Sequence, residues 1–380
     1  MMISWSWILD RGTLLVGRYS RDSGKELTST KQTQKIVASF DLDSTLIVTK
    51  SGKLHAADAD DWTWWNPSVP DKLRSLSSQG YRVVIFSNQG RLTTASEAEA
   101  PGAHLFKQKL RTILTLLDVP LTIYVACAND IYRKPRMGMW EEMLKEDGHL
   151  INGVDSYFVG DAAGRESDHS DSDIHFCENL AIKFKTPEAF FFGVDGEVPG
   201  HKFHPTWFLK PSSIDTTTHT QPKAPELVVF VGLPGAGKTT YFKSDLEILG
   251  YTRINLHDDG EFGSYLELVE QSLAAKKSVV VDGTNEDPKK RKQWVSLAHR
   301  HGIQARAFYF NTPSDLCLHN DSFRALAVIQ PSEKARRIYP RIAFRKLEAK
   351  LQPPTLSEGF YDVIQIEFKD NYSGEASQTL

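Results

Sequence analysis

A glycine-rich segment in the second half of the chain has the residue types and spacing that bind phosphate. Residues 232–239, GLPGAGKT, match the pattern GxxxxGK[ST], and the apolar run VVFV precedes them. Glycines let backbone N–H groups converge on phosphate oxygens, while the lysine reaches the β- and γ-phosphates and the threonine hydroxyl binds Mg²⁺. The segment therefore predicts a site for ATP and Mg²⁺ with the contact residues Gly232, Gly235, Ala236, Gly237, Lys238, Thr239 and Thr240.

Further polar residues in this half favour transfer of a phosphoryl group to a hydroxyl. Asp282 ends a predicted strand in VVVDGTN, where a carboxylate can reach the magnesium shell beside Thr239. Asp258 and Asp259 follow another short strand, and either could take the proton of an attacking hydroxyl. The sequence does not separate the two, although Asp258 is slightly favoured. Arg324, in HNDSFR on a predicted helix, could neutralise charge on the moving group, so the set indicates a kinase.

The first half contains a second set of residues suited to phosphate chemistry. Asp41 and Asp43, in DLDST after an apolar run, match the DxDxT loop of haloacid-dehalogenase-type phosphatases. The first carboxylate can attack phosphorus, and the second can protonate the leaving oxygen and then activate water. Ser87 and Lys134 offer a hydroxyl and a cation to phosphate oxygens, and Asp161 adds a magnesium carboxylate to those of Asp41 and Asp43. The order of these residues predicts a magnesium-dependent phosphatase.

Both sets of residues follow short apolar runs that are typical of buried strands. The predicted strands of the first half are Ile36–Phe40, Arg82–Phe86, Leu121–Cys127 and Ser156–Val159. Those of the second half are Leu227–Val231, Ser278–Val281, Ala305–Phe310 and Val363–Phe368, with a helical pattern over Leu266–Ala275. Such runs alternating with amphipathic stretches indicate βαβ units and parallel sheets. Because ligands of these sheets bind at the carboxyl ends of the strands, we expect one site in each half.

Length and composition agree with two soluble domains. A chain of 380 residues with 40% hydrophobic residues exceeds one ordinary core, and the Pro-, Ser- and Thr-rich segment 210–226 is typical of a linker. The net charge of −3 excludes a global basic field, so contact with nucleic acid must use local patches. Three scattered cysteines indicate a reducing compartment, the N-terminus is a poor signal peptide, and no run approaches the ~18–20 apolar residues that span a bilayer.

Taken in order, these segments resemble the polynucleotide kinase 3′-phosphatases of eukaryotic DNA end processing. The resemblance is carried by FDLDST, IFSNQ, RKP, FVGDAAGR, TPEAFF, VGLPGAGKTT, HNDSFR and PPTLSEGF, and it extends over about Trp5 to Phe368. It implies an α/β chain in which a haloacid-dehalogenase-like phosphatase domain precedes a P-loop kinase domain, both with mainly parallel sheets. It also implies a nuclear, monomeric repair enzyme that uses Mg²⁺ and ATP, acts on 3′-phosphate and 5′-hydroxyl ends of DNA, avoids membranes and can meet other strand-break repair proteins.

The resemblance also implies roles and domain limits. Asp41 matches the nucleophile, Asp43 the general acid/base, and Asp161 the third magnesium group. Ser87 and Lys134 match phosphate-stabilising positions. The expected layout is an N-terminal extension packed on the phosphatase (1–35), the 3′-phosphatase domain (36–209), a linker (210–226), the 5′-kinase domain (227–371) and a disordered tail (372–380). No forkhead-associated domain fits before the first predicted strand, which is typical of the short fungal form.

The sequence departs from the family mainly in the kinase half. Gly283 in DGTN and Asp321 in HNDSFR each replace the usual asparagine, and INLHDDGEFGSY carries an apparent insertion. In the phosphatase half, Ser44 replaces the glycine of DxDGT. Two alternatives therefore stay open. The kinase half could be a weakened or inactive module that binds DNA ends, or the chain could be a small-molecule phosphatase joined to a metabolite kinase.

Three further features could contact DNA or direct localisation. The segment Lys334–Lys350 is rich in basic residues, with Arg341 and Arg345 one turn apart if a helix begins near Pro340. A backbone-phosphate surface and a solvated helix explain it equally well. The KKRK run at 289–292 could be a nuclear localisation patch, although the start of a helix explains it better. Trp62, Trp64 and Trp65, in the segment DWTWWN, could stack on a base, but core packing is favoured.

Overall fold

The computed structural model describes residues 2–8, 13–20, 35–90, 92–93, 99–147, 151–194, 196, 203–208, 224–256, 261–326 and 338–368. The chain divides into two compact units between His204 and Pro205. Of the predicted linker, residues 210–223 lie outside the described residues, as does the predicted tail 372–380. Glu226 already belongs to a strand, so the second unit's sheet begins one residue earlier than predicted.

The first unit is built on a seven-stranded sheet. The strands of this unit, in chain order, are β1 (Met2–Ile8), β2 (Leu14–Ser20), β3 (Val37–Phe40), β4 (Ile47–Val48), β5 (Thr63–Trp64), β6 (Arg82–Asn88), β7 (Leu121–Ala126), β8 (Tyr157–Val159) and β9 (Lys183–Lys185). The main sheet has the order β1-β2-β7-β6-β3-β8-β9, while β4 and β5 form a separate antiparallel pair. The five neighbouring strands β7, β6, β3, β8 and β9 run parallel, which confirms the predicted α/β class.

The helices of the first unit cover this sheet with apolar faces. They are α1 (Val69–Ser78), α2 (Pro101–Leu117), α3 (Gly138–Asp147), α4 (Ser172–Leu180) and α5 (Pro187–Phe192). In α2 the buried apolar residues Phe106, Leu110 and Ile113 recur every three or four positions, so one face of the helix packs on the core. The α5 helix begins where the Thr186 hydroxyl accepts a hydrogen bond from the backbone N–H of Ala189.

The N-terminal segment is more than an extension packed on the phosphatase. Strands β1 and β2 pair antiparallel with each other, and β2 pairs antiparallel with β7. Leu14, Leu15 and Val16 in β2 are fully buried, which explains why this strand enters the sheet. The described part of residues 1–35 therefore contributes two strands to the main sheet rather than lying against a finished domain.

The second unit contains a five-stranded parallel sheet with its nucleotide loop at the centre. Its strands are β10 (Glu226–Val231), β11 (Thr252–Asn255), β12 (Val279–Asp282), β13 (Gln304–Phe310) and β14 (Asp362–Ile366), in the order β11-β12-β10-β13-β14. Its helices are α6 (Lys238–Tyr241), α7 (Phe262–Ala274), α8 (Pro288–Arg300), α9 (Ser314–Leu326) and α10 (Arg341–Lys350). All strands of the sheet are parallel, and β10 is buried along its whole length. The predicted strands of both halves are present, with ends that differ by at most two residues.

No helix in the described part of the chain is long and apolar enough to cross a membrane.

Candidate active sites

The phosphatase site is centred on a buried lysine that links two aspartates. Asp41 directly follows β3, and the Lys134 ammonium lies 2.7 Å from Asp41 Oδ1 and 2.8 Å from Asp173 Oδ1. The Lys134 side chain is only 1% exposed, and its Nζ also lies 4.7 Å from the centre of the Phe158 ring. Burial alone lowers the pKa of Lys134, but Asp173 and Asp41 outweigh it and raise that pKa above its ordinary value. The lysine is therefore a fixed cation.

A third carboxylate completes an acidic cluster in which a divalent cation fits. Ligand oxygens of Asp41, Asp161 and Asp173 all lie within 4.8 Å of one another. Three carboxylates thus surround one ammonium. Burial and the neighbouring acids raise the pKa of Asp41 well above its usual range, and burial together with Asp173 raises the pKa of Asp161 to about 6. The excess of negative charge and the all-oxygen ligands suit Mg²⁺.

Asp43 lies at the open side of this cluster with polar neighbours of its own. The Gln89 amide donates a hydrogen bond to Asp43 Oδ2 and another, 3.0 Å long, to the Ser87 hydroxyl. The Lys109 ammonium lies 3.7 Å from Asp43 Oδ1. Directly after Asp43 the chain turns through Ser44, whose φ is +60°. This left-handed conformation favours glycine, which explains why the family pattern DxDGT has glycine where this chain has serine.

Backbone contacts hold the cluster in place. The side-chain oxygen of Asn88, at the end of β6, accepts a hydrogen bond from the Lys134 backbone N–H, and its amide donates to the Lys134 carbonyl. Asp173 Oδ2 accepts a hydrogen bond from the Ala162 N–H. A Cβ at Gly160 would lie 2.3 Å from Asp173 Oδ2, so only glycine allows the carboxylate to approach the chain here. The carboxylate and the lysine are thus pre-positioned before substrate binds.

The structure brings together all five predicted phosphatase residues and adds others that the sequence reasoning missed. Asp173 lies on α4, in the stretch SDSDIHF, and not at the end of a strand, so the pattern that marks the other site residues does not mark it. Gln89 was present in the quoted IFSNQ segment without a role. Lys109 is a single buried lysine on the otherwise apolar face of α2, and no local pattern marks it.

The kinase site begins with a tight loop that ends β10. Gly235 and Gly237 have φ values of +82° and +93°, which other residues rarely adopt. A Cβ at Gly235 would lie 2.0 Å from the Cys317 carbonyl oxygen, so the loop and α9 are in direct contact. The Lys238 ammonium donates hydrogen bonds to the carbonyls of Gly232 and Leu233, at 2.8 and 2.7 Å. Burial lowers its pKa to about 8, although Asp282 opposes the shift.

Thr239 and Asp282, the predicted magnesium residues, lie side by side. The Thr239 hydroxyl is 3.1 Å from Asp282 Oδ2, and the Asp282 carboxylate is almost fully buried. Asp282 Oδ1 has no hydrogen-bond partner among the described residues. A buried, unpartnered carboxylate oxygen beside a threonine hydroxyl fits Mg²⁺. Arg253, which the sequence reasoning missed, also lies here: its guanidinium contacts Asp282 Oδ2 at 2.6 Å and Thr239 Oγ1 at 3.0 Å.

The predicted lid helix α9 supports the loop. The Asn320 amide donates a hydrogen bond to the Gly235 carbonyl at 3.0 Å, and Thr312, just before the helix, donates to the Ala236 carbonyl at 3.1 Å. Arg324, one turn further along α9, is close enough to Lys238 to lower its pKa. Its buried Nε has no hydrogen-bond partner among the described residues. A buried lysine with a half-buried arginine near it indicates an anion site of the kind that ATP phosphates require.

The DGTN segment next to the loop is held by a buried ion pair. Arg291, which has no exposed surface, binds Glu358 through two hydrogen bonds of 2.7 Å and donates to the Asn285 carbonyl at 2.8 Å. Asn285 in turn donates to the Phe230 carbonyl at the end of β10. Since Arg291 is part of the core, the KKRK run is the start of α8, as favoured, and presents only its lysines outwards. The pair also gives the PPTLSEGF segment a structural role, because this segment contains Glu358.

Other predictions fall outside the site or outside the described residues. Asp258 and Asp259 lie in the gap 257–260, so their roles stay predictions. The predicted helix near Pro340 is present as α10, but Arg345 is paired with Asp315 and Glu348, while residues 327–337 are not described. Trp62 is buried, and the half-buried Trp64 and Trp65 pack against the first unit's core, as favoured.

The two units thus define a class: an enzyme with a haloacid-dehalogenase-like phosphatase domain followed by a P-loop kinase domain. A family model described as "Polynucleotide kinase 3 phosphatase" matches residues 36–191, and one described as "AAA domain" matches residues 262–354.

Curated relatives identify the family. The chain is 39% identical over 341 residues to the "Bifunctional polynucleotide phosphatase/kinase" of Schizosaccharomyces pombe, covering 89% of this chain and 81% of the relative. It is 38% identical over 167 residues to a polynucleotide 3′-phosphatase of Arabidopsis thaliana, covering 41% of this chain and 24% of the relative. It is 30% identical over 208 residues to the "Polynucleotide 3'-phosphatase" of Saccharomyces cerevisiae, covering 41% and 87%. The chain belongs to the bifunctional polynucleotide phosphatase/kinase family.

Proposed function

We propose that this chain is a DNA repair enzyme that removes 3′-phosphates and phosphorylates 5′-hydroxyls at strand breaks. The observation that carries the proposal is the presence of two separate phosphate-handling sites on one chain. The Asp41–Lys134–Asp173 cluster is suited to hydrolysis of a phosphate ester, and the loop at Lys238 is suited to holding a nucleoside triphosphate. Together the two activities would convert an unligatable break into one with a 3′-hydroxyl and a 5′-phosphate.

In the phosphatase unit, Asp41 is the nucleophile. Its carboxylate oxygen attacks the phosphorus of the terminal 3′-phosphate, and the bond to the sugar oxygen breaks. Asp43 donates a proton to that oxygen and then takes one from the water that hydrolyses the aspartyl-phosphate. Lys134 fixes Asp41 and Ser87 offers its hydroxyl to the phosphate. Asp41 and Asp161 of the acidic cluster, together with the nearby Asp43, would hold Mg²⁺, which when bound supplies charge that neutralises the phosphate, while Asp173 pairs with Lys134.

In the kinase unit, the loop and lid bind the phosphates of ATP. Lys238 and Arg324 would contact the transferred group, while Thr239 and Asp282 would hold Mg²⁺. Asp258 or Asp259 would take the proton of the 5′-hydroxyl as the oxygen attacks the γ-phosphorus. Lys238 now donates to two backbone carbonyls, and these bonds must be exchanged for bonds to phosphate oxygens when ATP enters.

DNA as substrate, a nuclear location and contact with other repair proteins are parts of the same proposal. A polynucleotide substrate is supported by the names of the relatives and by the two site chemistries. The small-molecule alternative predicts equal turnover of simple phosphate esters and oligonucleotides. Competition between a 3′-phosphorylated oligonucleotide and a small phosphate ester therefore separates the two, since a polynucleotide enzyme must prefer the oligonucleotide.

The experiment that tests the proposal uses one oligonucleotide with a 5′-hydroxyl and a 3′-phosphate. We expect wild type, with Mg²⁺ and labelled ATP, to remove the 3′-phosphate and label the 5′ end. Asp41→Asn should lose only dephosphorylation, and Lys238→Ala should lose only labelling of the 5′ end. The activity that each variant keeps serves as its control. If wild type transfers no label to the 5′-hydroxyl, the kinase function is wrong, and the chain would be an end-binding phosphatase.

A further inference from the structure

Arg253 is a cation between the two residues that would hold magnesium in the kinase unit. It lies in β11, paired in register with Val280 of β12. Its Nε and Nη2 are 2.8 and 2.6 Å from Asp282 Oδ2, and Nη2 is 3.0 Å from the Thr239 hydroxyl oxygen. Stacking on the Phe242 ring at 5.9 Å supports the side chain from the other side. Neither the phosphatase chemistry nor the ATP-loop motif requires an arginine here.

The contacts use part of the oxygen capacity that a metal would need, although Asp282 Oδ1 keeps no partner among the described residues. Asp282 Oδ2 accepts from both guanidinium nitrogens and from the Thr239 hydroxyl. The Thr239 oxygen gives its proton to Asp282 and one lone pair to Arg253, which leaves a single lone pair for any other cation. A guanidinium beside that lone pair also repels a divalent ion.

We propose that Arg253 is the resident cation of the metal-free kinase site, and that it must release the Thr239 hydroxyl when Mg²⁺ and nucleotide bind. The arginine neutralises the buried Asp282 carboxylate in the free enzyme, since a buried charge without a partner is costly. When Mg²⁺ binds, the guanidinium must give up Thr239 Oγ1, because the metal would need the lone pair that Arg253 holds. This inference rests on the proposed kinase function and assigns a regulatory position to a residue of the same site.

The consequence is that wild type should bind ADP measurably even without Mg²⁺, because Arg253 supplies part of the missing charge. Removing it should make nucleotide binding depend more strongly on metal. In Arg253→Met the side chain keeps its apolar contact with Phe242 but loses its charge. We expect the ratio of the ADP dissociation constants without and with Mg²⁺ to rise about tenfold or more. Without Mg²⁺ the variant loses the attraction between Arg253 and ADP, and with Mg²⁺ it loses the repulsion between Arg253 and the metal.

The test measures the dissociation constant of a fluorescent ADP analogue for the full chain, once in buffer with EDTA and once in buffer with Mg²⁺. The nucleotide signal reports only the kinase site, and retained ADP binding in the presence of Mg²⁺ shows that the kinase unit of each variant is folded. The matched control is Arg306→Met, which removes another partly buried arginine–carboxylate pair, with Glu226 at the opposite end of β10. This control should leave the ratio unchanged.

A ratio that is unchanged or smaller in Arg253→Met overturns the proposal, because Arg253 would then only support the fold or assist the metal. Arg253→Lys gives a second measurement: an ammonium can pair with Asp282 but cannot bridge both groups as a planar fork does, so its ratio should lie between those of wild type and Arg253→Met. Failure of the kinase function would appear separately, as absence of label transfer by wild type. Failure of this inference would leave label transfer by wild type intact and the ratio in Arg253→Met no higher than in wild type.

Discussion

Replacing Asp161 with asparagine should stabilise the metal-free phosphatase unit at neutral pH while removing its activity. Asp161 is crowded by Asp173 in a buried site, and its side chain is only 16% exposed. Its pKa is raised from 3.8 to about 6. The ionised form is therefore less favourable in the folded protein than in the unfolded chain, and neutral asparagine removes this cost.

The magnitude follows from the shift in pKa. A displacement of about two pKa units corresponds to about 3 kcal/mol of unfolding free energy. The folded protein binds the proton more tightly than the unfolded chain, so stability falls as pH rises from about 3.8 to about 6, and the full cost applies above that range. We therefore expect Asp161→Asn to gain up to about 3 kcal/mol at pH 7.5, roughly half as much at pH 5, and nothing below pH ~3.8.

The assay is amide hydrogen exchange of β3 and β8, which measures the stability of the phosphatase unit separately from the kinase unit. Protection in EDTA should be greater in the variant at pH 7.5. Adding Mg²⁺ should stabilise wild type and leave the variant nearly unchanged, since a ligand stabilises only the protein that binds it. Kinase activity is the control for the second unit. The reasoning is wrong if the variant is no more protected than wild type in EDTA, or if the difference in protection does not shrink towards pH 5. In either case the ionised Asp161 carboxylate does not destabilise the folded phosphatase unit.

Two further predictions concern residues outside the DxDxT loop and the phosphate-binding loop. Gly160→Ala should lower 3′-dephosphorylation at least tenfold and cost about 1–3 kcal/mol, because its Cβ would displace the Asp173 carboxylate; a normal rate with normal kinase activity would contradict this. Arg291→Met should destabilise the kinase unit by about 3–5 kcal/mol in urea unfolding, because Glu358 would be left buried without its partner, and the double replacement Arg291→Met with Glu358→Leu should recover most of the loss. Equal stability of the single and double variants would refute the ion-pair explanation.

The parts of the fold that sequence reasoning predicted are those that depend on local pattern. Buried strands such as Val37–Phe40 and Val279–Asp282 consist mostly of apolar residues, and the polar residues at or just after their ends mark the carboxyl edge of a parallel sheet. Site residues at those positions could therefore be found without a structure. The antiparallel hairpin of the N-terminal segment was not predicted as part of the sheet, because its alternating pattern does not say which strand it will pair with.

The residues that were missed depend on contacts between distant parts of the chain. Asp173 on α4 meets Lys134 only because both elements pack beside β8, and nothing in SDSDIHF states which of its acids turns inwards. Arg291 lies in a run of four basic residues, yet it alone is fully buried. Charge in a sequence predicts exposure on average, so a buried arginine can be recognised only when its partner, here Glu358, is known to lie opposite.

The two sites share one physical solution to the problem of metal-binding carboxylates in a protein interior. Each places acids at the end of a buried strand, where they are costly when ionised without a partner, and each pairs them with one cation from another element. In the phosphatase, Lys134 is enclosed and contacts two aspartates, so it cannot leave, and the remaining excess charge is available to a divalent ion. In the kinase, Arg253 is a quarter exposed and bridges the metal residues themselves, so it can move. The difference implies that the phosphatase site keeps the same internal cation throughout its reaction. In the kinase site, by contrast, metal replaces the internal cation at Thr239 each time a nucleotide binds.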